Sequence, residues 1–135
     1  RVNLDGMFFC ARAAIERMEP QKSGEILLLR LQVGLPQIQT LQITVYKGAV
    51  INLTKTIAWE CAPWLRINSV CPGYVMTPMQ KSEYTDEMID KVNSTIRMGR
   101  HGDPDELAAV FAFLASSEAS YITGATITAD GGERA

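Results

Sequence analysis

The stretch that decides the fold is residues 65–77, LRINSVCPGYVMT, in which a short strand-like run meets a proline-glycine pair. Leu65 to Val70 predicts a buried strand of the kind found inside parallel sheets. Cys71-Pro72-Gly73 predicts the turn that breaks this strand, because proline and glycine are the strongest local breakers. This strand and its turn are the reference point for the elements on either side.

Helices and strands alternate upstream of this strand. The apolar positions of Val2 to Met18 recur at spacings of three and four, which predicts a helix, and Ile26 to Leu29 is a short apolar run that predicts a strand. A second helical stripe follows Lys47, runs from Val50 to Cys61 and ends near Pro63. The order helix, strand, helix, strand favours a parallel sheet with crossover connections.

A third helix and a last strand follow downstream. Asp103 is positioned to cap that helix, Pro104 suits its first turn, and Glu106 completes a capping box. Thr123 to Thr128 predicts the last strand. We therefore expect residues 1–135 to form one α/β unit.

Composition and charge exclude several classes of protein. The 135 residues are 47% hydrophobic and 21% charged, with a formal net charge of -2. Because lysine and arginine are scattered, no basic surface is expected to bind a phosphate backbone, and nucleic acid is excluded as a partner. No apolar run approaches the roughly 20 residues that span a bilayer, and no signal pattern opens the sequence. We expect a protein in solution, away from membranes.

Individual cysteine, histidine and tryptophan residues give little sign of a site. Cys10, Cys61 and Cys71 have no metal-ligand spacing and lie in apolar contexts typical of buried thiols, which fits a reducing, cytoplasmic compartment. His101 has no second ligand at metal spacing, so we expect a structural loop residue and no metal site. Trp59 and Trp64 are expected to pack against other residues rather than to stack on a ligand.

Six short phrases, taken in order and at near-family spacing, resemble the short-chain dehydrogenase/reductase family. They are Val2-Asn3-Leu4-Asp5-Gly6, Gly24-Glu25-Ile26, Lys47-Gly48-Ala49-Val50, Arg66-Ile67-Asn68-Ser69-Val70, Pro72-Gly73-Tyr74-Val75-Met76-Thr77, and Tyr121-Ile122-Thr123-Gly124 with Asp130-Gly131-Gly132. Together they cover about the second half of such an enzyme. The wording is most similar to polyol and sugar reductases.

The resemblance implies an α/β fold, namely the C-terminal half of a doubly wound Rossmann parallel sheet with about three strands and three main helices. It also implies NAD or NADP as cofactor and a small carbonyl or alcohol substrate. In the family a tyrosine acts as general acid or base, a lysine one turn later binds the nicotinamide ribose and lowers the tyrosine pKa, and a serine and an asparagine complete the site.

Carried over residue by residue, Asn3 matches the family asparagine and Lys47 the lysine. A helix cap and a solvated surface lysine are the structural alternatives for these two residues. The phrase containing Pro72, Gly73, Val75 and Thr77 resembles the loop that contacts the nicotinamide carboxamide. Its alternative is a structural turn. Tyr74, Met76 and Met79 would line the substrate side, or pack under a mobile lid from Tyr84 to Met98.

Two catalytic positions depart from the family pattern. Ile43 stands four residues before Lys47, where the tyrosine belongs, and Leu31 (or Arg30) stands at the serine position. The aliphatic side chains of Ile and Leu cannot donate or accept a proton. Tyr46 adjoins Lys47 and could act only if the backbone there is not a regular helix. The departures lie between Leu27 and Tyr46, and a shifted reading frame, alternative splicing, a chimeric assignment of sequence and divergence all stay open as causes.

The glycine-rich phosphate loop of Rossmann folds does not occur in these residues, and Gly131-Gly132 lies too late to begin a suitable helix. The selector between NAD and NADP is likewise absent. We therefore expect the chain alone to be inactive, and to associate as a homo-oligomer or with a complementary fragment, because the Ile26 strand has an open edge. The alternatives are a non-catalytic dimerisation module, built on the helices around Ala11 and Leu53, and an unrelated small α/β binding protein.

Overall fold

The computed structural model describes the backbone of residues 2–29 and 40–135, and the side chains of 4–29 and 48–135. Within these ranges it contains five α-helices and three strands. The elements are α1 (Val2–Met18), β1 (Gly24–Leu29), α2 (Thr40–Cys61), β2 (Leu65–Pro72), α3 (Pro78–Glu83), α4 (Asp86–Asn93), α5 (Pro104–Ala115) and β3 (Thr126–Ala129).

The three strands form a parallel sheet in the order β1-β2-β3, as predicted. Ile26 lies opposite Ile67, and Val70 lies opposite Ile127. Parallel strands need crossover connections, and α2 and the segment containing α5 make these two crossovers. The carboxyl ends of β2 and β3 consequently meet at one edge of the sheet.

Helices cover both faces of the sheet. On one face α1 and α2 pack over Ile26, Leu28 and Ile67. On the other face Leu27 and Val70 contact the α5 side, where Leu114 is fully buried. Successive strand residues point to opposite faces, so β1 supplies side chains to both layers. The expected α/β half-sheet is confirmed.

The helix at the start of the chain and the capping box were predicted correctly. α1 spans Val2–Met18, and Asp103 caps α5 with Glu106 reaching back to the Asp103 N–H at 2.8 Å. The Asp103 carboxylate accepts from the Asp105 N–H at 2.9 Å. These are local features, and local sequence rules determine them.

Several predicted boundaries were wrong. β2 runs through Cys71 to Pro72, because Cys71 and Pro72 still pair with Thr128 and Ala129 of β3. α2 begins at Thr40, well before Lys47. The last strand starts at Thr126 rather than Thr123. The segment from Tyr84 to Met98 contains the helix α4, and a lid there stays a prediction.

The expectation of burial or packing was wrong for three side chains. Cys10 is exposed, whereas Cys61 and Cys71 are buried. Trp59 is 87% exposed, while Trp64 packs against the α1/α2 core and lies under the Lys22 ammonium at 5.4 Å. Phe8, counted in the apolar stripe of α1, is 45% exposed. The reason is geometric, because only one side of each helix faces the sheet.

Candidate functional site

The turn after β2 is packed too tightly for any residue but glycine at position 73. The Gly73 N–H donates to the Ala129 carbonyl at 3.0 Å, which draws the turn against the end of β3. A Cβ on Gly73 would lie 2.7 Å from the Asp130 Cα. Glycine here permits the close approach of two backbones.

A second anchor holds the same loop from the other side. The Gly102 N–H donates to the Tyr74 carbonyl at 2.9 Å, and the Met76 N–H donates to the Gly102 carbonyl at 2.9 Å. These bonds form a parallel bridge between Val75 and Gly102. Backbone hydrogen bonds therefore hold residues 73–76 on both sides.

The end of the loop presents hydrogen-bonding groups. Thr77 caps α3 by accepting from the Gln80 N–H at 3.4 Å, and its own N–H donates to the Val75 carbonyl at 2.9 Å. A capping hydroxyl still has its own proton to donate. Among the backbone groups of residues 2–29 and 40–135 and the side chains of 4–29 and 48–135, no acceptor is bonded to the Val75 N–H. The loop thus offers a hydroxyl and a backbone donor, which suit a carboxamide group.

A cavity of about 220 Å³ lies beside the loop on the α5 side. Tyr74, Arg100, Leu107 and Asp130 are among the residues that line it. It is smaller than the roughly 300–1,000 Å³ of typical small-molecule sites. The loop backbone, rather than this cavity, is therefore the better candidate for contacting a cofactor.

An ion pair stiffens the segment that anchors the loop. The Arg100 guanidinium donates to both carboxylate oxygens of Glu106, at 2.8 and 2.7 Å. This bond and the one from the Asp103 N–H lower the pKa of Glu106 to about 2. The Arg100 side chain also donates to the His101 carbonyl at 3.0 Å. These hydrogen bonds thus hold the turn from which Gly102 contacts the loop.

The proposed catalytic residues lie on α1 and α2. Asn3 is in the first turn of α1, and Tyr46 and Lys47 are inside α2. The side chains of these three residues are outside the described part of the chain. The backbone at 46 and 47 is α-helical, so the departure from regular helix that Tyr46 would need does not occur. Ile43 is in α2, and Leu31 lies outside the described residues.

The residues just before α5 hold the loop in a way that the sequence indicates only in part. His101 lies in a loop as a structural residue, as predicted, and its ring is buried and hydrogen-bonded to Asn93. Gly102 was not singled out, although both anchoring bonds of the Tyr74–Met76 segment use its backbone. No local pattern signals such a contact, because it joins segments that are distant along the chain.

Metal and membrane sites are not found in the described ranges. Among residues 2–29 and 40–135 no group of three or more His, Cys, Asp or Glu could hold a metal ion. In the same part of the chain, each helix is too short or too polar to cross a bilayer.

A parallel sheet covered by helices on both faces, with a ligand-suited loop at the carboxyl end of its middle strand, defines a Rossmann-type α/β protein. Residues 1–133 match the family model described as enoyl-(acyl carrier protein) reductase. The chain belongs to the short-chain dehydrogenase/reductase family.

Curated relatives and a solved structure agree with this assignment. The chain is 41% identical to meso-2,3-butanediol dehydrogenase of Serratia marcescens over 99% of its length, and 40% identical to galactitol 2-dehydrogenase (L-tagatose-forming) of Cereibacter sphaeroides over 97%. A short-chain type dehydrogenase/reductase from Mycobacterium marinum superposes with a TM-score of 0.83 at 36% identity, covering 98% of this chain. The predicted similarity to polyol and sugar reductases of the family is confirmed by these relatives.

The match covers only part of each relative. The chain spans 53% of the Serratia protein, 54% of the Cereibacter protein and 53% of the Mycobacterium structure. The chain therefore corresponds to about half of the length of these proteins.

Proposed function

We propose that this chain contributes the nicotinamide-facing and substrate-facing half of an NAD(P)-dependent oxidoreductase domain that interconverts a small polyol, sugar or diol with its carbonyl form. The observation that carries the proposal is the fixed shape of the loop at the carboxyl end of β2. The close packing of Gly73 against Asp130 and two backbone hydrogen bonds to Gly102 fix this shape. The names of the Serratia and Cereibacter relatives support the substrate class.

The loop chemistry fits the nicotinamide end of such a cofactor. Pro72 and Gly73 shape the turn, while the Val75 N–H and the Thr77 hydroxyl supply donors for the carboxamide. NAD or NADP, when bound, supplies or accepts the hydride. What this chain contributes here is orientation, which makes the transfer effectively intramolecular.

We assign Lys47 to the cofactor ribose and Asn3 to a proton relay, both by resemblance. A lysine ammonium near an acidic group lowers that group's pKa and so favours proton transfer near neutral pH. With Ile43 at the tyrosine position, Tyr46 is the remaining candidate donor in this segment. Its helical backbone gives no support for that role.

The 135-residue polypeptide measured alone is proposed to be inactive. Loss of a proton donor removes roughly 10²- to 10⁴-fold in rate, and the sequence contains no glycine-rich phosphate loop. Restoring only Leu31→Ser and Ile43→Tyr in this polypeptide should fail for the second reason.

A hybrid enzyme tests the proposal. In it, this chain replaces the matching half of the Serratia relative, with and without Leu31→Ser and Ile43→Tyr, and NAD(P)H oxidation is measured with diketones and ketoses. We expect turnover in the restored hybrid and a rate roughly 10²- to 10⁴-fold lower without the two changes. Lys47→Ala should abolish the restored activity.

Two controls keep the hybrid interpretable. Thermal unfolding reports whether each hybrid folds, and calorimetry reports cofactor binding separately from turnover. Thr77→Ser retains the hydroxyl and should bind cofactor normally, whereas Thr77→Ala should bind more weakly. A folded, restored hybrid that does not bind NAD(P)H would contradict the proposal.

A second candidate function is a non-catalytic module that associates through α1 and α2. Exposed Phe8 and Phe9 line a surface groove together with Ala49 and Leu53, and this observation favours it. Sedimentation velocity tests it, with Phe9→Glu expected to yield monomer. An unchanged oligomer in that variant would remove the helix face from consideration and leave the exposed edge of β1 as the alternative contact.

A further inference from the structure

The His101 ring is buried between helix α4 and the candidate cofactor loop that follows β2. It is 7% exposed, and its Nδ1 lies 2.7 Å from the Asn93 Oδ1 at the last residue of α4. The Tyr74 ring meets it edge-on, with the ring centroids 5.8 Å apart. One imidazole thus contacts both α4 and the loop.

Gly102, the residue after His101, is hydrogen-bonded to the loop. Gly102 holds the Tyr74 carbonyl and the Met76 N–H through its backbone. Through this neighbouring residue His101 is connected to the bridge between Val75 and Gly102, and its ring contacts Tyr74 directly. His101 and Gly102 together therefore connect α4 to the loop.

A neutral ring fits this environment better than a charged ring. When Nδ1 donates to the Asn93 Oδ1, Nε2 is left as an acceptor, and no described residue hydrogen-bonds it. Protonation keeps the Nδ1–H bond to Asn93 but adds a buried Nε2–H without an acceptor, which costs free energy. Movement of the ring out to water relieves this cost and breaks the contact with Asn93. Burial accordingly lowers the pKa of His101.

The charged and titratable groups around His101 do not compensate for a positive ring. From α4 the facing group is the uncharged Asn93 amide, and from the loop it is Tyr74, whose pKa is raised by burial and then by Glu133 and Tyr84. On its own segment Arg100 is cationic and already pairs with Glu106 of α5. In the described part of the chain, no carboxylate is hydrogen-bonded to the ring.

We propose that His101 is a positioning residue that, while neutral, holds α4 against the Tyr74–Thr77 loop, and that its protonation releases α4. A role of this contact in cofactor binding rests on the proposed function, whereas the contact and its pH dependence do not. The folded-state pKa lies below the unfolded value of about 6.5. The contact is therefore complete above about pH 6.5 and is lost as the pH falls through the lower, folded-state pKa.

Nuclear magnetic resonance on the full chain tests this directly, because His101 is the one histidine in the sequence. The imidazole carbon resonances give its pKa, and amide exchange gives protection factors for α4 and, as an internal reference, for α5. We expect a pKa below about 6.5 and a fall in α4 protection that follows the His101 titration while α5 stays protected. A pKa at or above that value, or α4 protection independent of pH, would overturn the proposal.

Variants separate positioning from simple packing. Asn93→Asp places a carboxylate at Nδ1, so it should raise the His101 pKa above the wild-type value and keep α4 protected when the ring becomes charged. His101→Gln should remove the part of the pH dependence of α4 that follows the His101 titration. Asn52→Asp, on the exposed side of α2, is the matched control and should leave the titration unchanged. An Asn93→Asp chain with an unaltered His101 pKa would count against the contact.

Failure of this proposal is distinguishable from failure of the proposed function. If Thr77→Ala leaves cofactor binding intact in the hybrid enzyme, the function assigned to the loop fails, yet the His101 titration is unaffected. If His101 titrates normally while the loop variants lose cofactor, the function stands and the pH-dependent contact fails.

Discussion

The two ends of β2 are held in different ways. Toward its amino end, side chains add to the backbone hydrogen bonds: Asn68 is fully buried, donates to the Ile122 carbonyl at 3.0 Å and accepts from the Ala125 N–H at 3.0 Å. At its carboxyl end, the loop is held by backbone hydrogen bonds from Gly73 and Gly102.

Arg66 strengthens the amino end further. Its guanidinium donates to four backbone carbonyls around the end of α5, those of Leu114, Ser116, Ala119 and Ile122, and pairs with Glu25. Because the polar groups of Arg66 and Asn68 are already hydrogen-bonded to backbone groups, they are not available to a ligand. The other end leaves the Thr77 hydroxyl proton and the Val75 N–H uncommitted within the described residues, so it is the end of β2 that suits a ligand.

The largest effect is expected at the amino end. Asn68→Ala removes two buried hydrogen bonds, leaves a carbonyl and an N–H unsatisfied and opens a small cavity, which together should cost about 2–4 kcal/mol. The free energy of unfolding from denaturant titration measures this. Asn52→Ala, at an exposed position of α2, should change stability by at most about 0.7 kcal/mol and in the stabilising direction. Equal effects of the two substitutions would show that the buried hydrogen bonds of Asn68 do not hold this end of β2.

A smaller effect is expected at the carboxyl end from adding one methyl group. Gly73→Ala places its Cβ against the Asp130 backbone and should destabilise by about 1–3 kcal/mol. The same change at Gly48 of α2, where an added Cβ would meet nothing within 4 Å, should instead stabilise by about 0.5–1 kcal/mol. Thermal unfolding of the pair gives opposite signs if the turn is as tight as described, and a neutral Gly73→Ala would show that the turn relaxes freely.

The smallest effect concerns the exposed ion pair that braces Gly102. Because the Arg100 and Asp103 hydrogen bonds depress the Glu106 pKa to about 2, its contribution to stability is present above the unfolded pKa near 4.5 and is lost as the pH falls toward 2. The Tm difference between wild type and Glu106→Gln should shrink over that range. High salt should shrink it too, since surface pairs are screened. A difference that grows on acidification would reverse the assigned sign.

Local rules explain what could be predicted, and they fail where contacts are distant. The capping box at Asp103 was predicted because its donors and acceptors lie within one turn. The continuation of β2 to Pro72 was missed because it depends on pairing with Ala129, far along the chain. Trp59 and Cys10 were misplaced because an apolar residue says little about which side of its helix meets the sheet.

The sequence by itself determined the alternation of helices and strands, the parallel sheet and the family. The reason is that apolar periodicity, proline and glycine breaks and short family motifs can all be recognised within short stretches of the chain. That Ile43 and Leu31 stand at the tyrosine and serine positions of the family stays a prediction from the resemblance. Only the tertiary structure decided that Gly102 anchors the loop, that His101 is buried against Asn93 and Tyr74, and that Asn68 is consumed by the turn before β3. Each of these depends on which distant backbone groups folding brings within hydrogen-bonding distance.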